Sequence, residues 1–281
     1  MSMLRLIRPV LRPSGRGPGN GQFALQKELR RRNLPWLAVG GVPADADVVW
    51  FWSWEDRGAL LEREAAGRPY VAGPNVLFEN AKEPCRNESE RRLCAAMHCG
   101  LWLTESPWYA RLMRRWFTSN NKTPIRILPY PLDPMPPGPG PLRHDLLIYA
   151  KSGYRGATLA RLRRRFRNVR ILRYGHYRRD ALLEAASTSA ACVYLSDDDR
   201  GPLALAEILA SGCPTVGLPR GAPFLNHGEN GYFVRDLEAG TLIDAVERTR
   251  LLNRPRIAAA SQDRFAPGRI VDTILPWLKE T

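Results

Sequence analysis

The sequence predicts an α/β protein with two doubly wound domains. Strand-like and helix-like segments alternate along the chain, which is the pattern of parallel sheets covered by helices. The alternation stops near the middle of the chain, where residues 129–141 hold seven prolines in thirteen positions. Such a run cannot form a helix or a central strand. The 281 residues suffice for two domains of ordinary size.

In the N-terminal half, short aliphatic and aromatic runs predict strands, and the amphipathic runs between them predict helices. The strands are residues 4–8, 36–39, 47–53, 70–72, 101–104 and 125–128, and the helices are residues 22–32, one around Leu60, one after Asn87, and 107–117. These elements define a first domain over residues 1–133. A semi-rigid proline-rich linker over residues 134–143 follows it.

The same pattern predicts a second domain over residues 144–267. Its strands are residues 145–150, 169–173, 191–195 and 214–217, and its helices are residues 157–166, 179–187 and one that begins at Pro202. A final helix over residues 268–279 ends the chain.

Composition favours a protein of the cytoplasm. No apolar run reaches the length of a membrane span, and the arginines of the first nine residues interrupt any signal-peptide core. The five cysteines form no CxxC pair. Their odd number predicts a reducing compartment, and their spacing argues against structural zinc.

The most informative stretch is residues 201–234. Pro202 suits a first helical position, so the N–H groups of Leu203 and Ala204 are expected to point outward as a phosphate site. Glu207 lies among aliphatic residues of this helix and therefore needs a partner. Gly212 is expected to end the helix as its C′ residue.

A wider pattern around this helix resembles a known family. Asp199 precedes Glu207 by seven intervening residues, and the sequences ASGCPTV and GENGYFV follow. This order resembles the donor-site signature of retaining glycosyltransferases with an acid-x7-acid motif. The resemblance implies the GT-B fold, two Rossmann-like domains facing a central cleft, in a shortened form. In relatives the last helix packs back on the N-terminal domain.

The resemblance implies specific roles in the donor site. Glu207 binds the ribose of a nucleotide-sugar, and the backbone of Gly201, Leu203 and Ala204 meets the sugar and diphosphate. Asp199 takes the first acidic place as a catalytic residue, with Asp197 or Asp198 as the alternatives for that place. The family usually has glutamate at the first acidic place and Gly-Phe-Gly where this chain has Arg-Gly-Pro. Since proline lacks an N–H, one amide donor is lost.

Cations are needed where a diphosphate leaves. The family supplies an arginine and a lysine five positions apart in the first loop of its C-terminal domain. Here Lys151 and Arg155 occupy that loop four positions apart and are expected to be catalytic. No metal and no cofactor besides the nucleotide-sugar co-substrate are implied. Asp197 and Asp199 match a DxD metal-site string. They precede the helix that the acid-x7-acid motif already accounts for, so we do not expect them to bind a metal.

Further contacts are expected from three other loops. In relatives the loop between the first strand and helix faces the sugar and the acceptor, which implies contacts from Gly19, Asn20 and Gly21, although glycines serve turns equally well. Asn75 follows a strand and is either an acceptor contact or a turn residue. His176 is the histidine best placed for the cleft.

The charge of +14 and pI near 10.1 favour an anionic partner. Arginine clusters at residues 30–32, 111–115 and 161–170 lie on predicted helices. We expect an anionic membrane surface or a lipid-phosphate acceptor to contact the N-terminal domain, on the inner membrane face. Solvated helix faces are the alternative. Nucleic acid is disfavoured because no aromatic and glycine pattern of an RNA module accompanies the arginines.

The expected function is hexosyl transfer from a nucleotide-sugar to a glycan or lipid-linked acceptor, with retention, in glycan or glycolipid biosynthesis. A nucleotide-sugar epimerase or a non-catalytic sugar-nucleotide binder on the same fold is one alternative. An arginine-rich nucleic-acid-binding protein is the other. Binding of a free nucleotide separates the nucleic-acid-binding protein from the transferase and from the epimerase or sugar-nucleotide binder.

Overall fold

The computed structural model describes residues 4–7, 19–34, 37–39, 48–53, 56–76, 78, 87–136 and 138–280. The chain divides into two compact units. Unit 1 comprises Met1–Asp133 and Pro267–Thr281, and unit 2 comprises Pro134–Ala266. The glycine-loop residues 15–18 lie outside the described part.

Unit 1 contains a six-stranded parallel sheet in the order β2-β1-β3-β4-β5-β6. Its elements before the proline-rich segment are β1 (Leu4–Ile7), α1 (Gly19–Arg31), β2 (Leu37–Val39), β3 (Val48–Ser53), α2 (Arg57–Ala65), β4 (Tyr70–Asn75), α3 (Glu88–Cys94), β5 (Cys99–Thr104), α4 (Pro107–Trp116) and β6 (Ile125–Ile127). Helix α1 begins at Gly19, three residues before the predicted start, so Gly19, Asn20 and Gly21 form its first turn instead of a loop.

Large aromatic side chains fill the core of unit 1. Strand β3, with the sequence VVWFWS, is buried at all six positions, as a central strand covered on both faces must be. The indole Nε1 of Trp50 donates to the carbonyl of Gly73 at 2.6 Å, and the ring of Phe78 stacks on Trp102. Burying indoles with such contacts removes large apolar areas from water.

Unit 2 contains a five-stranded parallel sheet in the order β11-β10-β9-β7-β8. Its elements are β7 (Leu146–Ala150), α5 (Gly156–Arg165), β8 (Val169–Arg173), α6 (Arg179–Thr188), β9 (Cys192–Leu195), α7 (Leu203–Ala210), β10 (Thr215–Gly217), β11 (Gly231–Phe233), α8 (Ala239–Thr249) and α9 (Arg254–Arg264). Strand β11 and helices α8 and α9 are additional to the predicted elements.

Helix α7 is buried along its whole length and ends as predicted. Gly212 has a φ of +76°, which makes it the left-handed C′ residue. Its N–H donates to Leu209 and the N–H of Cys213 donates to Ile208, which is a Schellman motif. The turn leads the chain directly into β10.

The proline-rich segment lies against unit 2. The N–H of Gly140 donates to the carbonyl of Ser187, and Gln262 donates to the carbonyl of Pro136. The guanidinium of Arg254 bonds to the carbonyls of Gly140, Ser187 and Gly212. One side chain thus links this segment to the ends of α6 and α7.

Helix α10 (Pro267–Lys279) belongs to unit 1. Its Asp272 accepts a hydrogen bond from Arg32 of α1 at 2.5 Å, and Arg126 lies over the ring of Trp277. Among the described residues, no helix combines the length and apolar character needed to cross a membrane.

The four cysteines in the described part of the chain are in two states. Cys94 is disulfide-bonded. Cys99, Cys192 and Cys213 are buried free thiols, and burial raises the pKa of each.

Candidate functional site

The carboxyl edge of the unit 2 sheet brings chemically active side chains together. Strand β7 lies between β8 and β9, so the connections leaving β7 and β9 diverge to opposite sides of the sheet. Ligands of open α/β sheets bind at such a switch point. Lys151 follows β7 and Asp199 lies in the loop after β9. Their side chains form an ion pair, with Nζ and Oδ1 2.7 Å apart.

Asp199 is buried, and both its carboxylate oxygens bond to protein groups. Besides the ammonium of Lys151, Oδ1 accepts the backbone N–H of Gly201 at 3.1 Å. Oδ2 accepts the phenolic hydroxyl of Tyr194 at 2.7 Å. These charge-assisted bonds hold the acidic loop against β7 and β9. The geometry makes Asp199 an internal anchor of the loop.

Lys151 is the more accessible member of the pair. Its side chain is 22% exposed, against 1% for Asp199. The ammonium lies 4.9 Å from the centre of the Tyr174 ring, which is itself exposed at the end of β8. The edge of the sheet therefore presents a fixed positive charge beside an open aromatic face.

Three tyrosines support this edge from below. The rings of Tyr149 and Tyr194 stack with centroids 4.7 Å apart, and Tyr177 meets Tyr149 edge-on. The hydroxyls of Tyr149 and Tyr177 lie 3.1 Å apart. Burial raises the pKa of Tyr177 to about 12, and the carboxylates of Glu207 and Asp199 add to the shift. All three rings therefore act as neutral hydrogen-bonding phenols near neutral pH.

Glu207 forms the ion pair that its burial requires. It lies in the middle of α7, and its Oε1 accepts a hydrogen bond from Nε of Arg179 at 2.5 Å. Arg179 is the first residue of α6, which packs against α7. A buried carboxylate without such a cation would be costly. The carboxylates of Glu207 and Asp199 both raise the pKa of Tyr177, so both ion pairs act on the same tyrosine. We call Lys151, Asp199, Glu207 and Arg179 the polar cluster.

The start of α7 differs from the sequence-based expectation. Pro202 is the N-cap instead of the first helical residue, and its φ of −80° and ψ of 56° form an inverse γ-turn. This turn directs the N–H of Leu203 to the carbonyl of Gly201 at 2.9 Å. The Leu203 amide is therefore occupied within the chain, whereas Ala204 lies in the first turn of the helix, where amides lack intrahelical acceptors.

The loop after β7 depends on a glycine. Gly153 has a φ of +70°, and a Cβ there would lie 2.6 Å from Cβ of Asp197. Asp197 in turn accepts the hydroxyl of Ser152. A side chain at position 153 would separate the loops that carry Lys151 and Asp199.

Arg155 and His176 do not join the cluster of Lys151, Asp199 and Glu207. The Arg155 side chain is 81% exposed and faces Glu238 at 3.6 Å, at the start of α8. His176 is exposed in the loop after β8, and its N–H donates to the carbonyl of Arg173.

Unit 1 has a smaller polar group at the carboxyl edge of its own sheet. The Asn75 amide donates to Oγ of Ser53 at 3.1 Å and accepts the hydroxyl of Tyr130 at 3.0 Å. Gly21 is buried in α1, where a Cβ would lie 3.0 Å from the carbonyl oxygen of Pro131. Close packing against Pro131 thus accounts for the glycine at position 21. Ser53 and Tyr130, which the sequence did not predict as site residues, form hydrogen bonds with Asn75.

No cluster of three or more potential metal ligands occurs within the described ranges. The residues that sequence reasoning missed are Arg179, Tyr194, Tyr177, Ser53 and Tyr130. The position of Glu207 among aliphatic residues predicted a cationic partner. The sequence did not indicate which of the arginines supplies that cation.

Comparison with known proteins identifies the fold. No protein-family profile matches the chain, and no curated protein matches its sequence. HepE (Alr3699) from Anabaena, solved with UDP and glucose, aligns with a TM-score of 0.64 at 12% identity, over 99% of this chain and 100% of HepE. Sucrose-phosphate synthase from Thermosynechococcus elongatus aligns with a TM-score of 0.65 at 12% identity, over 99% and 98%.

The lipopolysaccharide outer core galactosyltransferase WaaB, in its apo form, aligns with a TM-score of 0.56 at 12% identity, over 93% of this chain and 80% of WaaB. These structures share the GT-B arrangement of two parallel α/β sheets. The predicted fold class of two Rossmann-like domains is therefore confirmed.

Proposed function

We propose that this chain transfers a hexosyl group from a nucleotide-sugar to a glycan or lipid-linked acceptor. The observation that carries the proposal is the cluster at the switch point of the unit 2 sheet. It combines the Lys151–Asp199 pair with the Glu207–Arg179 pair at the edge where α/β sheets bind nucleotides. Both acids belong to the acid-x7-acid pattern.

In this proposal Glu207 binds the ribose. A carboxylate held by Arg179 is already oriented, so little freedom is lost when a hydroxyl pair binds to it. HepE has been solved with UDP and with UDP-glucose, which supports a nucleoside diphosphate sugar as the donor class.

Lys151 stabilises the leaving diphosphate. As the bond from the anomeric carbon to the diphosphate oxygen breaks, the electron pair leaves with that oxygen and the acceptor oxygen bonds to the carbon. The proton of the acceptor hydroxyl passes to an oxygen of the departing diphosphate, which gains negative charge as the bond to the sugar breaks. A preorganised ammonium beside the departing oxygen lowers this barrier without a metal ion.

Asp199 has a different role from the one that the motif implied. Since its oxygens bond to Lys151, Gly201 and Tyr194, we assign it the positioning of Lys151. The amide of Ala204 and the backbone at Gly201 remain the proposed phosphate and sugar contacts. Arg155, with its exposed side chain, takes a peripheral role at most.

The acceptor is assigned to unit 1, with Asn75, Ser53 and Tyr130 as the polar group that meets it. Hydroxyl and amide groups at the carboxyl edge of a parallel sheet suit a polyhydroxylated acceptor. Retention of anomeric configuration follows from the family resemblance and a cytoplasmic site of reaction from the composition, and both form part of the proposal.

A ligand panel tests this function. UDP, GDP, ADP and the corresponding nucleotide-sugars should raise the thermal unfolding midpoint of the wild type, because a ligand that binds only the folded state stabilises it. Glu207→Gln should reduce the shift at the same ligand concentration, while Glu184→Gln, on an exposed face of α6, should keep it.

Turnover is then measured as nucleoside diphosphate release from the donor that binds, with and without a panel of sugar and lipid-linked acceptors. Binding without release, in every acceptor mixture, would favour the non-catalytic binder. An absence of any nucleotide-dependent shift would contradict the proposed function.

A further inference from the structure

The positive charge of the chain is concentrated in one stretch of unit 2. Residues 146–179 contain eleven lysines and arginines and no aspartate or glutamate. The stretch is bordered by Asp145 and Asp180, so acidic residues resume directly outside it. A general preference for arginine over lysine would leave acidic residues interspersed among the arginines. This stretch therefore carries eleven positive charges that no acidic residue within it offsets.

Most of these cations lie on α5 and on the edge of the sheet. Strand β8 ends the sheet, and α5 precedes it in the chain. Six arginines here are exposed and form no ion pair with a carboxylate within the described part of the chain. They are Arg161, Arg163 and Arg164 on α5, and Arg167, Arg170 and Arg173 on and before β8. We call these six residues the arginine surface.

Within the described ranges, other arginines of the chain are paired with carboxylates, unlike the six of the arginine surface. Arg165 pairs with Glu247 at 2.6 Å, and Arg155 faces Glu238. In unit 1, two of the three arginines at residues 30–32 are also paired. Arg31 and Arg32 both bond to Glu28, and Arg32 also bonds to Asp272. The expected contact through residues 30–32 therefore loses most of its free charge.

We propose that the arginine surface docks the protein on an anionic lipid bilayer. Each basic residue near an anionic leaflet contributes about 1 kcal/mol, so the few arginines of this surface that meet the leaflet suffice for reversible docking. This surface belongs to unit 2, whereas the sequence alone pointed to the N-terminal domain. The proposal does not depend on sugar transfer.

Few stacking groups accompany this charge, which favours lipid over single-stranded nucleic acid. Residues 155–173 contain a single aromatic residue, Phe166, and it is buried in the core of unit 2. The next residue, Tyr174, is exposed, and its ring lies against the ammonium of Lys151. Single-stranded nucleic acids are bound through exposed aromatic rings as well as charge. Anionic lipid headgroups require only the field of the arginines.

Co-sedimentation with vesicles tests the proposal on the full chain. Vesicles of phosphatidylcholine alone are compared with vesicles that also contain phosphatidylglycerol, at low and high salt. The test variant is R161Q/R163Q/R164Q on α5. The matched control is R111Q/R114Q/R115Q on α4, whose three arginines are also exposed. Both variants remove three charges from a ten-residue helix.

We expect the wild type to bind only the anionic vesicles, and to be released by high salt. The α5 variant should bind on the order of a hundredfold more weakly, and the α4 variant nearly as well as wild type. If the α5 variant unfolds, R170Q/R173Q on β8 provides the same comparison, with a smaller loss. The thermal shift with nucleotides should be unchanged in each variant, which separates docking from donor binding.

Three results would overturn the proposal. One is a wild type that does not sediment with anionic vesicles at low salt. Another is an equal loss of binding in the α4 and α5 variants, since net charge alone would then explain the effect. The third is tighter binding to duplex DNA or RNA than to anionic vesicles at the same salt, which would assign the surface to nucleic acid.

Discussion

Nζ of Lys151 and Oδ1 of Asp199 lie 2.7 Å apart, although the two residues follow different strands. The pair joins the loops on either side of the switch point in the unit 2 sheet. Asp199 is buried and Lys151 is partly exposed, so the carboxylate holds the loop while the ammonium stays accessible to solvent. The proposed function accordingly assigns positioning to Asp199 and catalysis to Lys151, whereas the sequence predicted both as catalytic.

Lys151 and Arg155 should differ sharply when they are changed singly. Removing a preorganised charge at a leaving group costs about a hundredfold to a thousandfold in turnover. Lys151→Ala should show a loss of this size, and Arg155→Ala should stay close to wild type. The measurement is diphosphate release at saturating donor. Equal losses in the two variants would return Arg155 to the site.

The stability of the same pair can be measured separately. Lys151→Ala leaves the buried carboxylate of Asp199 without its cation, which should lower the free energy of unfolding by on the order of 3 kcal/mol. The double variant K151A/D199N should recover part of this loss, because no uncompensated charge is then buried. Urea unfolding of the four proteins gives the coupling. Additive losses would show that the ion pair contributes nothing.

Glu207→Gln should weaken nucleoside diphosphate binding by about tenfold to a hundredfold, since bonds to a charged acceptor are worth about 1.5–3 kcal/mol. Titration calorimetry on the folded variant measures the effect. Arg179→Lys tests the support of Glu207 by its neighbour, with Arg178→Lys as the matched control, since Arg178 is exposed and pairs with Asp180. A full-affinity Glu207→Gln variant would remove Glu207 from the ribose site.

Acid should destabilise unit 1 through Glu28. Hydrogen bonds from Arg31, then from Arg32, lower the pKa of Glu28 from 4.5 to about 2. A carboxylate with a depressed folded-state pKa stabilises the fold above its unfolded pKa and loses this contribution as the pH falls toward its folded pKa. Stability should therefore decline between about pH 4.5 and about pH 2, and less steeply in Glu28→Gln. Parallel pH profiles in the two proteins would contradict this assignment.

Much of the fold could be predicted because its signals are local. Strand β8 has the predicted bounds, and Gly212 ends α7 in the predicted conformation. Both follow from patterns of a few residues, namely an aliphatic run and a glycine after a helix. Strand β11 was missed because three residues, two of them aromatic, follow a glycine turn and give too short a pattern.

The contacts of the site were less accessible to sequence reasoning. The requirement of Glu207 for a partner was predicted, but Arg179 lies 28 residues away on another helix, and only the packing of α6 on α7 brings it close. The amide of Leu203 was expected to be free because proline often opens a helix. Its capture by Gly201 depends on a γ-turn at Pro202, which residue types alone do not specify.

The aromatic core of unit 1 and the tyrosine stack of unit 2 give the two halves of the chain different optical properties. All eight tryptophans belong to the residues of unit 1, whereas the stacked rings in unit 2 are tyrosines. Indole emission therefore reports on unit 1 alone, whereas phenol absorbance mixes six tyrosines of unit 2 with three of unit 1. The unfolding of unit 1 can thus be followed by its native emission, without attaching a dye.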